Sequence, residues 1–167
     1  FVSIFFLYIS EVDTSAVEDF IFESKSIEIE KNDNIIAKDG VKVNTSDGLE
    51  IFADKSEYNK NTKILKLDGS VKIFDNIQNF EINSDKIIYD KILEKITSKT
   101  KTKIMIDNSH VISGKDIIFF KSKLEIQSNQ LSTIKDKFNN LIKLKGFNYS
   151  AKTKILKTRK MELIDKD

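Results

Sequence analysis

Residues 49–73, LEIFADKSEYNKNTKILKLDGSVKI, contain the pattern that decides the fold of this chain. Apolar residues alternate with charged ones on both sides of the turn-forming triplet at 59–61, which predicts two extended strands joined by a tight connection. The same plan recurs along the chain. The residues that align with Tyr58 are Tyr89, Phe119 and Tyr149, at steps of 31, 30 and 30 residues, and more weakly Glu28. This period indicates a repeated two-strand unit.

The composition sets limits on the class of protein. The chain has 167 residues, which is enough for one domain with a buried core. It carries 28 basic and 26 acidic residues with a net charge of +2, so no overall electrostatic field favours a nucleic-acid partner. The absence of cysteine excludes disulfides and thiolate metal sites.

Turn-forming pairs punctuate the sequence from Phe20 onward. Examples are Asp39-Gly40, Asp47-Gly48 and Asp68-Gly69, and they separate short runs in which apolar and polar residues alternate. No helical periodicity is sustained over a comparable length. The pattern predicts an all-β fold of antiparallel strands, each roughly ten residues long.

A shift in the alternation predicts that the strands are bent. Ile51 and Ala53 lie on one face of a regular strand, whereas Tyr58 lies on the other. A bulge or bend near Asp54-Lys55 would bring all three side chains to the same face. The equivalent positions in the next two units are Asp85-Lys86 and Lys115-Asp116. Bent strands with one apolar and one charged face predict a two-sheet sandwich or an open jelly roll.

The first 16 residues are predicted to be a truncated signal peptide, followed by a single domain over residues 17–167. Phe1 to Ile9 is too short to span a bilayer but has the length of the apolar region of an export signal. The small residues Ser15 and Ala16 provide a cleavage site. A buried first strand is the alternative interpretation of the apolar run.

The recurring sequence resembles a known family repeat. Residues 51–58, IFADKSEY, followed by LDGSVKI at 67–73, are similar to the repeat of the OstA-like family. This family includes the periplasmic lipopolysaccharide-transport protein LptA and the N-terminal domain of the outer-membrane assembly protein LptD. The resemblance covers residues 20–167. It implies an open, twisted β-jelly roll that binds the acyl chains of lipopolysaccharide in an apolar groove and passes the lipid across the periplasm to the outer membrane.

Two kinds of family member fit the sequence. The segment at 44–50, NTSDGLE, is more similar to the N-terminal domain of LptD than to LptA. LptA is the close alternative, and a purely structural β-repeat is a third possibility that the period alone permits.

The apolar face of the repeat is the predicted lipid-binding site. Small residues interrupt it at Ala53, Ser84 and Gly114, which is consistent with a slot between two sheets or with strands that cross closely. The predicted lipid-binding residues are Ile51, Ala53, Leu65, Leu67, Val71, Ile73, Ile82, Ser84, Ile87, Tyr89, Ile112, Ile117 and Phe119.

An open jelly roll also predicts a docking edge, because its end strands have unpaired backbone groups. The first unit, residues 20–43, is the most divergent copy and is expected to form the leading edge. The predicted edge residues are Ile27, Ile29, Ile35, Val41 and Val43. An LptA-like bridge protein would add a strand there by β-augmentation. If the chain is part of LptD, the outer-membrane barrel would be a further partner.

No enzymatic site is predicted. His110 is the only histidine and has neither a second imidazole nor a thiolate nearby in the sequence, so neither a metal nor a cofactor is expected. Ser109 precedes it directly, but neighbouring side chains in a strand or turn are expected to point apart and no nucleophile elbow precedes the pair, so no catalytic triad is expected.

Overall fold

The computed structural model describes residues 20–30 and 33–164, and it confirms the all-β prediction. The strands are β1 (Phe20–Ile29), β2 (Asn34–Thr45), β3 (Leu49–Asn59), β4 (Ile64–Asp75), β5 (Phe80–Asp90), β6 (Lys95–Ser98), β7 (Thr102–Ile106), β8 (His110–Gly114), β9 (Ile117–Phe120), β10 (Glu125–Lys135), β11 (Leu141–Ser150) and β12 (Ile155–Ile164). The described part of the chain contains no helix of the length and hydropathy needed to cross a bilayer. The predicted signal peptide lies outside the described residues.

The strands form one antiparallel meander. The order in the sheet is β1-β2-β3-β4-β5-β6-β9-β10-β11-β12, with β7 beside β5 and β8, and β8 beside β10. Strand β5 pairs along one half with β6 and along the other half with β7, so β6 and β7 are two halves of one bent strand. Strands β8 and β9 are related in the same way. The terminal strands of the meander are β1 and β12.

Each long strand is bent near its middle, as the alternation predicts. The register of β3 against β4 shifts between Phe52 and Lys55, and that of β4 against β5 shifts between Asp68 and Val71. The break between β8 and β9 falls at Asp116, whose backbone has a φ of 49°. These irregularities rotate the two halves of a strand so that both direct their apolar side chains inward. The antiparallel β-jelly roll is therefore confirmed.

Small residues occur where the bent strands approach one another closely. A Cβ atom added at Gly114 would lie 2.3 Å from Oγ of Ser132 in β10. The hydroxyl of Ser84 lies 2.8 Å from that of Ser98 and 3.0 Å from that of Thr102, within a buried hydroxyl cluster. At Gly114 the small residue therefore allows β8 and β10 to approach closely.

Candidate functional site

The predicted lipid-binding residues all lie on the inner face of the bent sheet. Every one of the thirteen is buried, with at most 8% of its surface exposed. In this conformation they form a packed core, and the predicted groove is closed. Further inner-face residues of the same core were not among the predicted ones, although the alternation within their own strands identifies them. These are Leu49, Phe80, Ile96, Ile104, Ile106, Ile126, Ile134, Leu144 and Phe147.

Aromatic contacts connect distant parts of this inner face. The rings of Phe80 and Phe119 are 4.8 Å apart between centroids and meet edge to face at 82°. Near the other end, the ring of Phe20 lies 4.7 Å from that of Tyr58 and 6.0 Å from that of Tyr89. Such geometry is favourable for aromatic pairs beyond the area that they bury. The apolar face is therefore continuous from β1 to the middle of the sheet.

The turns at the two ends of the strands meet along a line that we call the mouth. One set of turns lies at residues 46–48, 76–79 and 107–109, and the opposite set lies at 91–94, 121–124 and 151–154. A straight strand of ten residues is about 33 Å long, so these ends touch only because the strands are bent. Ion pairs join them. They are Lys91 with Asp47, Lys121 with Asp47 and Asp75, and Lys154 with Asp107.

Four side chains at the centre of the mouth, Asp47, Asp75, Lys91 and Lys121, form a cluster that we call the latch. Nζ of Lys121 lies 2.8 Å from Oδ2 of Asp47 and 3.5 Å from Oδ2 of Asp75. Nζ of Lys91 lies 2.8 Å from Oδ1 of Asp47. The side chains of Lys121 and Asp75 are only 5% and 0% exposed. The latch therefore places two cations and two anions at the boundary of the apolar interior.

Hydrogen bonds from the backbone hold Asp75 in position. Its Oδ1 accepts the amide hydrogens of Ile77 and Gln78 at 2.9 and 2.7 Å, which fixes the turn after β4. The hydroxyl of Tyr89 is buried nearby and has no hydrogen-bond partner among the described residues. Leaving such a group unpaired costs about 1–3 kcal/mol in general. The interior next to the latch is thus polar and incompletely hydrogen-bonded.

The latch residues influence one another's ionisation. Burial raises the pKa of Asp47, but hydrogen bonds from Lys121 and Lys91 outweigh it and hold the pKa well below its usual range. Burial lowers the pKa of Lys121, and its pairing with Asp47 more than compensates, so the net pKa is raised. For Tyr89, burial and then the charge of Asp47 raise the pKa of the phenol. Asp47 and Lys121 are therefore both charged at neutral pH.

Comparison with known proteins identifies the family. Residues 17–139 match the family model described as OstA-like protein. The chain belongs to the OstA-like family. The resemblance found in the sequence is thereby confirmed.

The search of curated proteins finds no match for this OstA-like chain. Among solved structures it is similar to the crystal structure of LptH from Pseudomonas aeruginosa, which is described as the LptA homologous periplasmic component of the conserved lipopolysaccharide transport device. The identity is 11%, the match covers 89% of this chain and 95% of that chain, and the TM-score is 0.36.

The predicted edge of this OstA-like domain lies in β1 and β2. Ile27 and Ile29 of β1 are opposite Ala37 and Ile35 of β2, so they extend the inner face. They are 45% and 73% exposed, whereas Val41 and Val43 are buried. Among the strands formed by residues 20–30 and 33–164, β1 has one neighbour, β2. The inner face thus reaches an edge strand at which two isoleucines contact solvent.

The backbone of β1 offers hydrogen-bonding groups at that edge. The amide of Glu30 donates to the carbonyl of Asn34 at 2.9 Å, so these two residues form a hydrogen-bonded pair of the antiparallel ladder. Hydrogen-bonded and non-hydrogen-bonded pairs alternate. The N–H groups of Ile27 and Ile29 therefore point away from β2, toward the side of β1 on which no other described strand lies.

The expectation that Ser109 and His110 point apart is wrong. Oγ of Ser109 lies 2.8 Å from Nδ1 of His110. Ser109 belongs to the turn after β7, where Asp107 and Asn108 have positive φ, so the strict alternation of an extended strand does not apply. Within residues 20–30 and 33–164, no group of three or more candidate metal ligands comes together.

Proposed function

We propose that this OstA-like domain binds lipopolysaccharide through its lipid A acyl chains and transfers it across the periplasm toward the outer membrane. The observation that carries the proposal is the continuous apolar inner face, which extends from Ile112 in the middle of the sheet to the exposed Ile29 at its edge. A binding role accounts for this surface without any catalytic group. Membership of the OstA-like family supports the same conclusion.

The free energy of acyl-chain binding is suitable for a protein that binds lipid and then releases it. Each methylene of an acyl chain that leaves water contributes about 0.8 kcal/mol, so partial insertion of a few methylenes is sufficient for retention. Because the inner face is closed in the described conformation, acyl chains must separate the two halves of the sheet and replace their mutual contacts. The net affinity therefore reflects the difference in free energy between the contacts that the acyl chains make and the core contacts that they replace. A small difference favours transfer to a neighbouring domain over permanent binding.

Two members of the transport machinery, LptD and LptA, are the candidates for the identity of this chain within the family. The sequence of residues 44–50 favours the N-terminal domain of LptD. One observation favours LptA as a second candidate, because β1 and β12 each pair with a single strand among those that the structure describes and could pair with domains on both sides. The nucleotide sequence downstream of the codon for Asp167 distinguishes them, since LptD continues into barrel strands.

Photo-crosslinking tests whether the inner face binds lipid. We expect an aliphatic diazirine amino acid of about the size of isoleucine, placed at Ile51 or Ile82, to form an adduct with lipopolysaccharide, because both side chains point inward. The same amino acid at Lys66 or Lys72, on the outer face of β4, serves as the control and should form none. Adducts are detected as slower-migrating bands that react with an antibody to lipopolysaccharide. Equal capture at both sets of positions contradicts the proposal.

Proline substitutions test the docking edge. We expect Ile29→Pro to weaken binding of an LptA-like partner at least about tenfold, because it removes an outward-facing N–H that an added strand would use. Lipid capture by the isolated domain should be nearly unchanged. Glu28→Pro is the matched control, since its N–H faces β2 and its loss lowers thermal stability instead. If a pull-down of the partner survives both Ile27→Pro and Ile29→Pro, or if crosslinks map to residues 152–167, the partner docks at the opposite edge.

A further inference from the structure

We propose that the latch is a gate through which an anionic amphiphile reaches the inner face sideways, and that Lys91 and Lys121 exchange their carboxylate partners for its phosphate groups. The inference rests on the proposed function and adds a route and a headgroup site to it. Four features of the mouth support it.

The first feature is position. Lys121 and Asp47 are 74 residues apart in sequence and belong to opposite sets of turns. The buried core residues Leu49 and Tyr89 lie two positions along the chain from Asp47 and Lys91 of the latch, so the contact joins the two sets of turns at the border of the core. Separating these two side chains is therefore required before the turns can part and expose the inner face beneath them.

The second feature is the rim. Three large apolar side chains in the turns beside the latch, Ile77, Ile92 and Leu93, are exposed to solvent. Turns at this position ordinarily carry small or polar residues. Ile77 follows Asp75 by two residues, and Ile92 follows Lys91 directly. The rim thus combines apolar side chains with lysines, which matches the two chemical parts of a phosphorylated lipid.

The third feature is the weak net stabilisation that a buried ion pair provides. Lys121 and Asp75 have lost nearly all contact with water, and their mutual attraction offsets a desolvation cost of similar size. The hydroxyl of Tyr89 beside them has no hydrogen-bond partner in the part of the chain that the structure describes. Opening the mouth returns these groups to water and so recovers their desolvation cost. The closed latch therefore resists the separation of the two sets of turns less strongly than its number of ion pairs suggests.

The fourth feature is charge balance. The latch holds two lysines and two aspartates, so parting the mouth leaves two cations without their partners at the rim. A phosphate accepts charge-assisted hydrogen bonds from such cations as well as a carboxylate does. Lipid phosphates would bind Lys91 and Lys121 at the mouth while the acyl chains enter the interior.

A covalent crosslink between the two sets of turns tests the gate. The chain contains no cysteine, so the double variant Asp47→Cys/Lys121→Cys can be bridged specifically with a short bismaleimide. We expect bridging to reduce capture of a lipid A probe with a photoreactive acyl chain at least about tenfold, because the mouth cannot part. The control is Glu57→Cys/Lys66→Cys, which replaces an ion pair of 2.9 Å between neighbouring strands on the outer face and does not cross the mouth. Its bridging should leave capture unchanged.

A second variant tests the gate without a crosslinker. Asp47→Asn removes the carboxylate that both lysines share, and we expect it to accelerate capture about three- to tenfold, since the mouth parts more readily. An unchanged rate, or full capture by the bridged mouth variant, overturns the gate and leaves the proposed function intact. If neither the unmodified chain nor the outer-face control captures the lipid A probe, the proposed function is overturned.

The exchange of partners has its own test. Lys91→Met should lower the capture of phosphorylated lipid A relative to that of the fully dephosphorylated lipid about five- to tenfold. The dephosphorylated lipid should be captured at least as fast as by the unmodified chain, because the variant also removes one ion pair of the latch. Lys66→Met should alter neither. If Lys91→Met affects both lipids equally, the lysine acts only by closing the mouth, and the phosphate site is overturned.

Discussion

Phe119→Ala is expected to lower the free energy of unfolding by about 3–5 kcal/mol, because a fully buried ring is removed from a packed core. The ring has no exposed surface and contacts Phe80 edge to face. Its strand, β9, has only four residues and is held between Ile96 of β6 and Ile126 of β10, both of which are buried. A cavity at this point therefore affects three strands at once.

Urea denaturation followed by tyrosine fluorescence measures this change, because the chain has four tyrosines and no tryptophan. Phe138→Ala is the control. Its side chain is 71% exposed in the connection after β10, so we expect a change within about 0.5 kcal/mol. Equal effects of the two substitutions would mean that the inner face is not packed as described.

Lys121→Met is expected to destabilise the domain by about 3–5 kcal/mol, since it leaves the buried carboxylate of Asp75 without its cation. Methionine has a similar length, so packing of the side chain is largely kept and the loss of charge dominates. Asp47 loses one of its two lysine partners as well. Thermal and urea denaturation at neutral pH measure the effect.

Two further variants isolate the cause. Lys66→Met breaks the exposed ion pair with Glu57, and such a pair contributes no more than about 1 kcal/mol. The double variant Lys121→Met/Asp75→Asn removes the unpaired charge while keeping an oxygen for the amides of Ile77 and Gln78, so we expect part of the stability to return. If the double variant is less stable than Lys121→Met alone, the buried charge of Asp75 is not the cause.

Much of the architecture follows from local patterns. In β3, the alternation of Ile51 and Ala53 followed by the shift before Tyr58 predicts both the inner face and the bend. Turn-forming residues such as Asp47-Gly48 predict the strand ends. These features are readable because the period of two and the turn preferences depend on residues adjacent in the chain. The same reasoning failed at Ser109, where a turn interrupts the alternation.

The amino-acid sequence by itself determined the all-β repeat, the side of each strand that is apolar, and the family. Only the tertiary structure decided that the predicted lipid-binding residues form a closed core and that the two sets of turns meet. The latch was not predictable, because Lys121 and Asp47 are separated by 74 residues and nothing in their local sequences distinguishes them from solvated charges. Their contact depends on the sum of many small bends, each of which changes the direction of a whole strand half. Strand ends that would lie about 33 Å apart come within hydrogen-bonding distance only when those bends act together.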